Sequence, residues 1–290
     1  LVDARSGGFP DSMWRESQAE AVRALILNLP SRYASLSARR LALRFLLSAA
    51  PPPPAQGAAD PDPALLEARV SALAAMGAWD DALALTELVP AETRSPGLAR
   101  WHLDAQLVLG KTDAACGETQ RALAANGAPD PLWQKVQVYC QFASGQGTAA
   151  GLAVDVLREQ GVEDPGFFWA ATIAQGANTP PPEAVLKTGS LGPLSLALLR
   201  AAGRLPPADL LAGDDPTALL IAAQMAVAPT KAPPTDLEAR VGAVERAVRH
   251  GLVDPAILRD LYLGKTPFVD ISDALHARPT AGLVPPDGMR

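Results

Sequence analysis

Two cysteines, three histidines and a few adjacent acids are the side chains of this chain that could do chemistry. Cys116 and Cys140 fall in consecutive predicted helices, equidistant from a turn centred near residue 128. An antiparallel pair sets them at one height, about 18 Å from that turn at the rise of an α-helix. If they share facing surfaces, a disulfide with Cα atoms about 5.5–6 Å apart can form. It would close a 24-residue separation and point to an oxidising compartment such as a periplasm. The other reading is a pair of small packing residues in a cytoplasmic protein, because Ala72 and Ala105 hold the place of Cys140 in the preceding units.

The remaining candidates point away from catalysis. His102, His250 and His276 have no cysteine or carboxylate spacing that would hold a metal, so no metal and no cofactor is expected. Asp80-Asp81 and Asp214-Asp215 sit at predicted helix starts, where negative charge meets the positive end of the helix dipole. Ser190, Ser195 and Ser272 lack the strand–turn–helix context of an activated nucleophile, and no glycine-rich loop follows a strand to cradle phosphate. A non-enzymatic protein is the expectation.

The elements that would position these residues are helices. Apolar residues are 48 % of the chain and aromatics only 5 %, so the apolar surface is mostly Ala and Leu, strong helix formers. No alternating run of β-branched residues predicts a strand. Pro63, Pro96, Pro131 and Pro165, each preceded by Asp or Ser, are spaced 33, 35 and 34 residues apart. The residue before each proline is an N-cap, and the proline a first-turn residue with φ already set. Gly77, Gly110 and Gly145 follow the first three prolines at a fixed distance and end the first helix of each unit, and Ala82, Ala115 and Ala150 enter the second. Each unit is a helical hairpin that buries its apolar face only by stacking on its neighbours.

Gly77-Ala78-Trp79-Asp80-Asp81-Ala82 resembles the inter-helix turn of the tetratricopeptide family, and Gly110–Ala115 and Gly145–Ala150 resemble it more loosely. The superhelical domain of soluble lytic transglycosylases is similar to the same extent. Arg69, His102 and Gln137 stand where the tetratricopeptide family has a buried leucine, and its early Trp and mid-helix Leu-Gly are missing. The resemblance implies a right-handed, all-α hairpin solenoid with irregular helical flanks. It also implies a concave groove lined by the first helix of each hairpin: Glu67, Ser71, Arg100, Asp104, Lys135, Tyr139 and Trp169. That stripe would take a peptide or protein partner. Transglycosylases act through a separate domain with a Glu-Ser motif; here Glu16-Ser17 lies in the first predicted helix without such a domain.

The predicted organisation is an N-terminal helical hairpin over residues 1–50, with Leu1–Pro10 loosely ordered and helices over Ser12–Asn28 and Ser31–Ala49. A Pro-rich linker follows over 51–62, tetratricopeptide-like hairpins over 63–176, irregular helices over 177–278 and an extended tail over 279–290. The last helices are predicted from the capping box Thr235–Glu238 to His250, from Asp254 to Leu263 and over Pro267–Ala277. The net charge of −6 and the lack of a basic cluster argue against nucleic acid. No apolar run reaches the roughly 18 residues of a membrane span. A chain that opens at Leu1 with no leader-like pattern reads as a trimmed product. The expected role is a protein–protein scaffold, an accessory or structural subunit of a bacterial envelope assembly such as a flagellar motor or secretion machine, possible as an oligomer. A cytoplasmic adaptor or chaperone, or a regulatory module of a cell-wall enzyme, are the alternatives.

Overall fold

A computed structural model describes residues 1–53, 63–125, 130–227 and 237–263. The described residues form an all-α helical solenoid. Its first helices are α1 (Ala19–Leu27), α2 (Leu36–Leu47), α3 (Pro63–Ala75) and α4 (Trp79–Thr86). A 3₁₀ turn over Ala91–Thr93 precedes α5 (Pro96–Val108), α6 (Thr112–Ala125), α7 (Pro131–Ala143), α8 (Gly147–Glu159) and α9 (Pro165–Ala174). The rest are α10 (Glu183–Thr188), α11 (Pro193–Ala201), α12 (Ala208–Ala212), α13 (Pro216–Val227), α14 (Leu237–Arg249) and α15 (Pro255–Tyr262). The linker read over 51–62 lies outside the described residues from position 54 on. The opening of the Thr235 capping box, the helix read over Pro267–Ala277, His276, Ser272 and the tail over 279–290 also lie outside them.

Helix starts and stops follow local chemistry. Ser95, Asp130, Asp164 and Asp254 each accept a backbone N–H from the first turn of the helix they precede, with proline next in the chain. Such a cap contributes about 1 kcal/mol. Helices α3, α5 and α7 end at Gly77, Gly110 and Gly145, whose φ values of 72°, 73° and 79° suit glycine best. At Gly77 a side chain would also strike Leu252 and Pro216. Ala82, Ala115 and Ala150 are fully buried, so neighbouring helices approach closely there.

Consecutive helices pack as pairs through the hairpin block: α3 on α4, α4 on α5, α6 on α7 and α7 on α8. A second layer then closes over the first. Helix α11 lies against α5, α7 and α9, and α13 lies against α3 and α11. Both are largely apolar. Leu194–Leu199 and Ala218–Ala226 are continuously buried, the pattern of helices enclosed by other helices. Burying each leucine contributes about 1.5–3 kcal/mol relative to leaving it exposed.

The N-terminal region departs from expectation. Residues 11–17 are tight turns, closed by i→i+3 bonds such as Met13 N–H to the Pro10 carbonyl, so α1 begins at Ala19 and not near Ser12. Its buried face is Val22 and Ile26, while Leu25 and, on α2, Leu36 are exposed. Trp14 is buried from the turn, edge-on to Phe45 at 5.1 Å. Leu1–Pro10 is pinned rather than loose. Val2 pairs with Ser48 in the one β-bridge of the described residues, and Arg44 donates to the Gly7 carbonyl at 2.6 Å and covers the Phe9 ring.

Candidate functional site

The cysteines meet. Cys116 on α6 and Cys140 on α7 form a disulfide with Cα atoms 5.8 Å apart, joining the second helix of one hairpin to the first of the next. The antiparallel register puts them level, and both are half-buried.

Two of the three polar residues in the leucine slots have specific partners. Arg69 donates to the Leu46 carbonyl at 2.6 Å and the Ser48 carbonyl at 3.0 Å, which finishes α2; burial lowers its pKa to about 10. His102 is buried between α4 and α6, with Nδ1 2.8 Å from Thr86 Oγ1 and Nε2 2.7 Å from the Gln106 amide nitrogen. Thr86 already gives its hydroxyl hydrogen to the Leu83 carbonyl, so it must accept from Nδ1–H. The imidazole is therefore the neutral Nδ1–H tautomer, with Nε2 accepting from Gln106. Burial first, and then Arg94 and Lys111, lowers the His102 pKa to about 4. Glu118 Oε2 stands 3.5 Å from Nε2, and burial raises its carboxyl above the ordinary range. Gln137 is half-buried.

Most of the stripe assigned to a partner groove has hydrogen-bond partners within the chain. Glu67 accepts from the Ser95 hydroxyl, the cap of α5. Lys135 pairs with Asp164, the cap of α9, at 2.7 Å. These two residues therefore staple one hairpin to the next. Arg100 is exposed and pairs with Asp104 one turn away at 2.9 Å. Asp104 itself is buried, which raises its carboxyl against the pull of Arg100, and its Oδ1 has no hydrogen-bond partner. Ser71 is half-buried, and Trp169, also half-buried, donates its indole N–H to the Thr179 carbonyl at 3.1 Å. Tyr139 is 2 % exposed, with its hydroxyl 2.8 Å from Thr112 Oγ1. Neither Asp104 nor Tyr139 offers its side chain to a partner in this arrangement.

Helix α11 packs on α7. Arg200 lies near the end of α11, and burial lowers its pKa. Its guanidinium donates to the carbonyls of Leu107 at 2.5 Å and Val108 at 2.7 Å, at the end of α5, and to Gln224 Oε1 of α13 at 2.9 Å. One residue thus ties both inner helices to the hairpin layer.

The chain matches no protein-family model, no curated protein and no solved structure with which it was compared. The hairpins stand on their own geometry.

No three metal-ligating side chains gather among the described residues. Asp215 caps α13 by accepting from Ala218 N–H at 2.7 Å. Asp214, at φ 55°, faces His250 at 3.4 Å and Arg246 at 3.9 Å. No described helix is long and apolar enough to cross a membrane.

Sequence reasoning missed the arginines. Arg39 reaches the Met76 carbonyl beyond α3, Arg94 the carbonyls of Thr86 and Val89 after α4, and Arg246 the Leu211 carbonyl in α12. Each supplies donors to carbonyls that a helix end leaves without intrahelical partners. The planar fork lets one side chain serve two acceptors. The available signal was the preponderance of arginine, 20 against 5 lysines, which composition alone does not attach to helix ends.

Proposed function

We propose that this chain is a non-enzymatic protein–protein scaffold built as a tetratricopeptide-like, right-handed hairpin solenoid, serving as an accessory or structural subunit of a bacterial envelope assembly. The observation that carries the reading is the stapled two-layer body. A disulfide joins successive hairpins, and inner helices fill the face that such solenoids would otherwise leave open. A rigid spacer of this kind suits a structural subunit better than an adaptor that closes around peptides. The disulfide favours an oxidising compartment, the periplasm.

The partner-facing surface is then the outside of the hairpins. Leu152 and Val156, one turn apart on α8, are 65 % and 48 % exposed, an apolar pair of the kind that marks contact surfaces when it is contiguous. Cross-linking followed by non-reducing purification from the native host should recover a stable protein partner together with a bonded Cys116–Cys140. Free thiols in protein so isolated would favour the cytoplasmic adaptor. Recovery with no partner at all would sink the scaffold.

A further inference from the structure

We propose that the two ends of the hairpin row are complementary, so that copies of this chain associate head to tail. The proposal deepens the scaffold reading by naming one partner, a second copy, and rests on that reading only for the purpose such a row serves. Most of the large apolar side chains exposed among the described residues gather at two places. Leu25 and Leu27 of α1 with Leu36 and Leu41 of α2 form one group, and Leu152 and Val156 of α8 with Leu186 of α10 form the other. Helix α1 packs on α3, the first helix of the row, and α10 packs on α9, the last. The two groups therefore stand at opposite ends and do not cover one another within one chain. Stacked hairpins bury apolar surface against their neighbours, and an end unit that nothing covers needs a polar outer face.

Charge distinguishes the two ends. Residues 1–50 hold seven arginines against four acids, in a chain whose net charge is −6. Arg40 and Arg44 are exposed beside Leu41, and Arg23 is exposed one turn before Leu27. Residues 147–188 hold five acids against two bases. Glu159 continues the exposed stripe of Leu152 and Val156 at helical spacing, and Glu163 beyond the helix is exposed as well. The ion pairs of this region are Arg158 with Asp155 and Lys187 with Glu183, so neither Glu159 nor Glu163 is spent in them. Two N-terminal ends brought together would set arginine against arginine, and two far ends carboxylate against carboxylate; like charges face to face are costly. Arginine-rimmed leucines against a carboxylate-rimmed apolar stripe is the pairing that both features favour. Such a contact uses different surfaces on the two copies, leaves one end free on each, and so extends into a row. An anionic lipid surface would suit the arginines but gives the acidic end no role.

Sedimentation of the purified, oxidised protein tests this. Average mass should rise with concentration through the micromolar range, the weak end for protein contacts, and pass two copies without a plateau. Raising salt from about 0.01 M to about 1 M shortens the Debye length from about 30 Å to about 3 Å and should weaken association about tenfold. Leu41→Glu and Leu152→Lys, both at exposed positions, should each be monomeric with an unchanged helical spectrum. Mixed, they should give a one-to-one dimer and nothing larger, because each retains the end that the other has lost. A monomer at every concentration, a dimer that does not grow, assembly retained by either variant, or a mixture that stays monomeric would each overturn the head-to-tail contact. Monomeric protein that sediments with phosphatidylserine vesicles would also overturn it and give the arginines to lipid. A monomer that still recovers a protein partner from its native host would sink the row and leave the scaffold reading standing.

Discussion

The hairpin layer and the inner layer bury apolar surface by different means. Hairpins α3–α9 are punctuated: proline and a cap open a helix, a left-handed glycine closes it, and a fully buried alanine lets the next helix approach. Inner helices α11 and α13 also open with proline, α13 after the cap Asp215, and Gly203 at φ 68° closes α11. They differ in being enclosed by other helices. Each hairpin leans mainly on its neighbours, whereas α11 alone touches three hairpins. Local rules thus start and stop helices in both layers, and non-local packing places the inner one. Damage to the inner layer should accordingly cost more and spread further.

The largest effect is expected from Leu196→Ala, which empties a fully buried position of α11. A loss of about 2–5 kcal/mol in denaturant unfolding is expected. A cost under about 1 kcal/mol would mean that the inner layer is not the keystone.

Acidity should act on the hairpin layer through His102. With its folded pKa near 4 and an unfolded value near 6.5, the unfolded chain takes up the proton first. Stability from this group is therefore full above about pH 6.5 and falls as pH drops toward 4, by at most about 3 kcal/mol. Glu118 works the other way: a raised carboxyl binds its proton first in the folded state, so it adds stability as pH falls. Unfolding free energy measured across this range should decline less steeply in His102→Gln. An unchanged slope would show that the buried imidazole does not govern it.

Smaller still is Ser95→Ala, which removes the cap of α5 and the partner of Glu67; about 1 kcal/mol is expected by chemical denaturation. At the bottom, Leu152→Ala at an exposed site of α8 should stay within about 0.5 kcal/mol in the same measurement. If it matched Leu196→Ala, the contrast between layers would collapse.

The same contrast decides what could be read from residues alone. The hairpin turns were legible because proline and glycine act on their own backbone, and the level pairing of Cys116 with Cys140 followed from helix rise and turn position. The run Leu194–Leu199 was legible as buried, but not as lying against α5, α7 and α9, because a largely apolar helix carries little direction. Arg200 was illegible as a cap: the carbonyl it serves at Val108 is 92 positions away. The stripe from Glu67 to Trp169 was read from hairpin register, which places residues on a face without saying what else reaches it. Glu67 and Lys135 turn to the next hairpin's cap. Leu1–Pro10 looked loose because its anchors on α2 lie about forty positions downstream.

The order of the layers along the chain also sets an order in time. Helices α5, α7 and α9 are synthesised before α11, and α13 follows later still. Until α11 and α13 have emerged, the surfaces destined for them face water or whatever holds the nascent chain. Contacts of long sequence separation close late and slowly, and exposed apolar surface in that interval invites aggregation. Biogenesis, more than the finished fold, is therefore the stage at which this molecule is most vulnerable, and a holdase that shields the half-made chain would be its most valuable companion.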